Sequence, residues 1–211
     1  MKKFFNKSDL KQIDKIQITE ETVFYNETIK ELYEKFKNLS KLDYRLYESS
    51  VENFEYLDLS GMDLTSNALS KIIIKNKNIF LKIPFLDISN NNITELFNLN
   101  EYPNITVLIV SDNQLNTINT NYIVELNCCN NNISSINGKN LKDVNASNNK
   151  IESINLPSIQ KLSIYNNPII EIPYFENLTF LECSVNKISK NYNIEHVYKD
   201  RNKYNVEIKI D

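Results

Sequence analysis

Apolar and polar residues alternate along the centre of this chain in a rhythm that starts again and again. In "FLDIS" (85–89) and "VLIVS" (107–111), the inward-type positions Leu86 and Ile88, then Leu108 and Val110, are separated by single residues. That period of two is the signature of a strand with one buried face. Each strand-like stretch belongs to a longer segment, and six of these run "IPFLDISNNNI", "ITVLIVSDNQL", "IVELNCCNNNI", "LKDVNASNNKI", "IQKLSIYNNPI" and "LTFLECSVNKI". A further copy, "FEYLDLSGMDL", precedes them. Strands this short cannot bury an apolar face alone, so the pattern predicts stacked rungs about 4.8 Å apart.

The second apolar position falls at Leu57, Leu86, Leu108, Leu126, Val144, Leu162 and Leu181, at spacings of 29, 22, 18, 18, 18 and 19 residues. Six copies carry an asparagine five residues later: Asn91, Asn113, Asn131, Asn149, Asn167 and Asn186. The first copy has Met62 there. The asparagine sits where the chain leaves the strand, and its amide offers both donors and an acceptor to backbone groups of adjacent turns. These six are read as structural, not as a ligand site.

Aligned as L-x-x-L-x-L-x-x-N-x-L, the seven segments resemble the leucine-rich repeat family over roughly residues 54 to 188. The resemblance implies an α/β fold: a right-handed leucine-rich repeat solenoid with a parallel concave β-sheet. An 18-residue copy leaves seven residues for the return path, too few for a stable helix. The convex side is therefore expected to be helix-poor, with Ile118, Ile136, Ile154 and Ile172 plugging it. The first, 29-residue interval has room for a short helix capped by Ser66 or Asn67.

Three regions follow: 1–50 as an N-terminal segment and cap, 51–190 as seven repeats, and 191–211 as a C-terminal cap. Residues 26–42 place Ile29, Leu32, Tyr33, Phe36 and Leu39 on one helical face and predict an N-terminal helical cap. At the other end "KYNVEIKID" alternates strictly and predicts a strand pairing with the last repeat.

Composition narrows the function classes. A net charge of −3 and a pI near 5.4 argue against nucleic-acid binding. The start "MKKFFNKSDL" has no apolar stretch after its basic residues, and the most apolar region is broken by lysines. The expectation is a cytoplasmic, monomeric chain with no membrane or nucleic-acid partner. Cys128, Cys129 and Cys183 form no disulfide framework, which fits a reducing compartment. Asn-, Ile- and Lys-rich usage suggests an AT-rich genome, as in a protist, an AT-rich bacterium or a large DNA virus.

No catalytic, metal-binding or cofactor-binding motif stands out, so the chain is read as a non-enzyme without cofactor. The one histidine, His196, lies three repeats away from Cys129 in the register. What remains is the concave face, where this family's binding usually resides. Outward columns there read Tyr56, Phe85, Val107, Glu125, Asp143, Lys161, Phe180 and Asp58, Asp87, Ile109, Asn127, Asn145, Ser163, Glu182. Tyr56, Asp58, Phe85, Asp87, Val107, Ile109, Asp112, Tyr165 and Phe180 are the candidate partner-binding residues. Exposed aromatic and aliphatic groups beside charges are the chemistry of a protein-binding hot spot. The leading expectation is a protein-protein interaction module. The alternatives are an adaptor that recruits an enzyme through its N-terminal helical segment, and a viral or pathogen effector acting on host signalling.

Overall fold

The computed structural model describes residues 55–169 and 172–183, and the backbone of 207–210. The chain divides into compact units at 1–44 and 45–211, and all described residues belong to the second. The predicted helix at 26–42, Asn186 and His196 lie outside the described residues.

The strands are β1 (Tyr56–Asp58), β2 (Phe85–Asp87), β3 (Val107–Ile109), β4 (Thr117–Thr120), β5 (Glu125–Asn127), β6 (Ser135–Gly138), β7 (Asp143–Asn145), β8 (Ser153–Asn155), β9 (Lys161–Ser163), β10 (Phe180–Cys183) and β11 (Glu207–Ile210). Eight of them form one parallel sheet in the order β1-β2-β3-β5-β7-β9-β10-β11. Leu57 pairs with Leu86, then Leu108, Leu126, Val144, Leu162 and Leu181, so the register matches the motif alignment rung by rung. The C-terminal strand extends this sheet: Phe180 pairs with Glu207 and Cys183 with Ile210, in parallel.

Stacking buries what a single rung cannot. Every residue of the leucine column is at most 3% exposed. The second inward column, Leu59, Ile88, Val110, Cys128, Ala146, Ile164 and Cys183, is equally closed. Burying one large aliphatic side chain contributes about 1.5–3 kcal/mol, and the two columns together form the core. The ladder continues past the strand ends, with the Val110 N–H donating to Asn127 O (2.8 Å) and the Asp112 N–H to Cys129 O (3.0 Å).

The far side changes along the chain as the repeat shortens. The long first interval holds α1 (Ser66–Lys75) and α2 (Lys77–Phe80), and the second holds a 3-10 turn at Leu99–Glu101. In the 18-residue repeats the return path is extended, and β4, β6 and β8 form a second, three-stranded parallel sheet. Ile118, Ile136 and Ile154 stand in register there and are buried, as is Ile172. The cap of α1 differs from expectation. Thr65, not Ser66 or Asn67, is the N-cap, its Oγ1 accepting from the Ala68 N–H at 3.3 Å. Ser66 Oγ instead accepts from the N–H groups of Thr94 and Glu95 on the next turn (3.0 and 3.1 Å). Phe80, Phe97 and Tyr102 meet edge to face between these early turns, with centroids 5.3–6.2 Å apart.

Candidate protein-binding surface

The outer face of the eight-stranded sheet is built from strand residues that alternate with the core columns. Along β1, β2 and β3 one outward column reads Tyr56, Phe85, Val107, and beside it Asp58, Asp87, Ile109. Tyr56 and Phe85 are in ring contact, with centroids 4.9 Å apart and planes at 58°. Tyr56 is 36% exposed, and Phe85, Val107 and Ile109 are half-buried. Parallel register therefore brings four apolar side chains from three rungs onto one patch.

Polarity rises abruptly beyond β3. The same columns continue as Glu125, Asp143 and Lys161, and as Asn127, Asn145 and Ser163. Lys161 and Asp143 form an ion pair at 3.3 Å, with both side chains well exposed, so it contributes little to stability. Phe180 follows Lys161 and is half-buried, and Tyr165 is 38% exposed at the strand-leaving position after β9.

The acidic candidates have local hydrogen-bonding duties. Asp58 is buried, and its Oδ1 accepts from both the N–H and the Oγ–H of Ser60 (2.8 and 2.6 Å). Asp87 repeats the arrangement with Ser89 (2.9 and 2.7 Å). Asn127 and Asn145 do the same more weakly, accepting from the N–H groups of Cys129 and Ser147 (3.3 and 3.2 Å). Asp58, Asp87, Asn127 and Asn145 thus each close a short turn at the end of their strand. Asp112 lies three residues past Ile109, in the turn with φ 55°, and its Oδ1 accepts from Asn130 Nδ2 at 2.8 Å.

Two asparagine ladders hold those turns. In the buried one, each Oδ1 accepts from a backbone N–H of the preceding turn: Leu64 to Asn91, Ile93 to Asn113, Leu115 to Asn131, Ile133 to Asn149 and Ile151 to Asn167, all at 2.9–3.0 Å. Each Nδ2 donates to one carbonyl of the preceding rung and two of its own; for Asn149 these are Cys128 O, Ala146 O and Ser147 O (2.9, 3.1 and 3.2 Å). Where Met62 replaces the asparagine, its own N–H donates to Asn91 Oδ1 of the next rung (3.1 Å).

Sequence reading missed the second ladder. The residue just before each buried asparagine, and Gly61 before Met62 in the first copy, has positive φ, from 53° to 58°: Gly61, Asn90, Asp112, Asn130, Asn148 and Asn166. Only Gly, Asn and Asp occur in that column, the residues that best tolerate a left-handed backbone. Their exposed side chains link rung to rung, Asn148 Nδ2 to Asn130 Oδ1 (2.8 Å) and Asn166 Nδ2 to Asn148 Oδ1 (3.0 Å). The doubled "NN" of successive motifs was the available signal.

The three cysteines are not set up as reactive thiolates. Cys128, Cys129 and Cys183 are free thiols, and burial pushes all three up. For the half-exposed Cys129 the Asp112 carboxylate adds to that effect. Among the described residues no group of three His, Cys, Asp or Glu side chains could hold a metal ion. No described helix is long and apolar enough to cross a membrane.

No family model matches the sequence, and no curated protein matches it. Among solved structures, the leucine-rich repeat domain of APL1B matches with a TM-score of 0.52 at 19% sequence identity. The match covers 69% of this chain and 46% of that one, so this chain corresponds to less than half of that structure's length. With the parallel two-column core and the asparagine at each turn, the likeness fixes the fold: this is a leucine-rich repeat solenoid. Such solenoids commonly serve as protein-protein interaction modules and typically are not enzymes.

Proposed function

We propose that the chain is a non-enzymatic protein-binding module whose partner seats on the outer face of β1, β2 and β3. The observation that carries this reading is the patch of Tyr56, Phe85, Val107 and Ile109, four part-exposed apolar side chains in register on consecutive rungs. The next three rungs carry Glu, Asn, Asp, Lys and Ser at these positions, so the patch departs from its immediate surroundings. Aromatic and aliphatic anchors grouped at the centre of a rigid surface are the usual carriers of binding energy. Tyr165 and Phe180 extend the surface at its far end. Asp58, Asp87 and Asp112 support it indirectly, by fixing the turns that aim the strands.

The test is partner capture from the native host with Phe85→Glu and Val107→Glu, each checked by circular dichroism and thermal melting. Capture should fall at least tenfold with the melt little changed. Undiminished capture by both variants would refute this surface and favour recruitment through the N-terminal segment.

A further inference from the structure

A second concavity lies on the other side of the solenoid, over the three-stranded sheet. It is an open depression of about 360 Å³. Five of the nine residues lining it are asparagines: Asn100, Asn119, Asn121, Asn137 and Asn155. Lys139 is the one ionisable side chain among those nine. A solvated surface in a chain with 24% charged residues would ordinarily carry more charge than that.

The asparagines are arranged, not scattered. Asn119, Asn137 and Asn155 occupy one register position on β4, β6 and β8, so their exposed amides repeat at the strand spacing of about 4.8 Å. Asn137 Nδ2 donates to Asn119 Oδ1 at 3.0 Å. That bond leaves the Asn119 Nδ2 donors and the Asn137 Oδ1 acceptor without a partner among the described residues, and exposed Asn155 contributes a complete amide. The wall is fixed in advance by bonds between turns. The Asn121 N–H donates to Asn100 Oδ1 (3.2 Å), Asn140 Nδ2 to Asn121 O (2.7 Å), and Ser158 Oγ to Lys139 O (2.9 Å). At Gly138 any Cβ would collide with Leu141 of the core, so this rung tolerates no side chain there.

A rigid, nearly uncharged groove that presents donors and acceptors in alternation matches a ligand whose own groups are both at once. Hydroxyls are such groups, and vicinal hydroxyls on a sugar ring can each meet one amide. We infer that this groove binds a neutral carbohydrate, taking a short stretch of linear oligosaccharide along the Asn119–Asn137–Asn155 column. The site is independent of the protein-binding patch, which lies on the other sheet.

Saturation-transfer difference NMR on the full chain, with cellohexaose, laminarihexaose and chitohexaose as probes and a heparin-derived hexasaccharide as the charged comparison, tests this directly. At least one neutral hexasaccharide should bind, with no dependence on added salt. Asn155→Ala and Asn137→Ala should weaken it by about tenfold, a loss of about 1.4 kcal/mol. Asn155→Ala removes no side-chain hydrogen bond among the described residues, so it keeps the test valid if Asn137→Ala disturbs the ladder. Phe85→Glu should leave sugar binding unchanged. The inference is overturned if none of the neutral probes binds, or if their binding survives both asparagine substitutions. It is equally overturned if only the heparin fragment binds in a salt-sensitive way, which would make the groove an anion site centred on Lys139.

Discussion

Truncating one interior rung of the buried ladder tests how the solenoid is held together. In Asn149→Ala the three carbonyls that accept from Nδ2 each keep another donor. Cys128 O still receives Asn131 Nδ2, Ala146 O still receives Asn167 Nδ2, and Ser147 O still receives the Asn130 N–H. The Ile133 N–H, whose bond to Asn149 Oδ1 is 3.0 Å, is left buried with no acceptor. An orphaned buried donor costs about 1–3 kcal/mol, and the weakened carbonyls bring the expected loss to about 2–4 kcal/mol. Urea unfolding should show this as a lower midpoint with an unchanged slope. Asn149→Asp should be worse at neutral pH, because it retains the acceptor but turns a carboxylate toward three carbonyl oxygens. That environment raises the carboxyl pKa in the folded state above its unfolded value of about 3.9. The folded protein then binds the extra proton, so stability rises as pH falls through the raised pKa and is fully recovered below the unfolded one. A loss below about 0.5 kcal/mol for Asn149→Ala would refute the hydrogen-bond reasoning, being smaller than a typical single bond. So would an Asn149→Asp protein as stable as Asn149→Ala at neutral pH.

Three further outcomes follow from the same geometry. At Asn148, with φ 56°, replacement by Val should cost about 1–2 kcal/mol by thermal melting, whereas replacement by Gly should cost much less. Thr65→Ala should destabilise the first turns by about 1 kcal/mol through loss of the α1 cap, seen as faster amide exchange at Ala68. Of the three thiols, half-exposed Cys129 should be alkylated first in native protein, faster as pH rises through its elevated pKa; Cys128 and Cys183 should react only after unfolding.

The rungs were legible because a period of two and a fixed apolar spacing leave one register that buries every leucine. The buried asparagines were legible for a related reason: a polar residue recurring inside an apolar motif needs backbone partners. What escaped notice depended on backbone conformation. The positive φ values of Asn90, Asn130, Asn148 and Asn166 explain the restriction of that column to Gly, Asn and Asp. Asp112, grouped with the binding candidates by its charge, is the member of that column at the third rung. Asp58 and Asp87, candidate binding residues by their place on an outward column, each close a two-residue turn onto a serine. The cluster of Phe80, Phe97 and Tyr102 follows no period and had no sequence signature. The amide groove has no motif of its own because its residues sit in the return segments, where only Ile118, Ile136, Ile154 and Ile172 follow the apolar period.

The central functional claim is that a partner protein seats on the patch formed by β1, β2 and β3. The most direct measurement places a photoreactive p-benzoylphenylalanine at position 85, 107, 143 or 152, irradiates the folded protein in lysate of its native host, and identifies the adducts by mass spectrometry. The account predicts one shared adduct from positions 85 and 107, a weaker one from 143, and none from 152. The same adduct at 152 as at 85, or no adduct at 85 and 107, would contradict it.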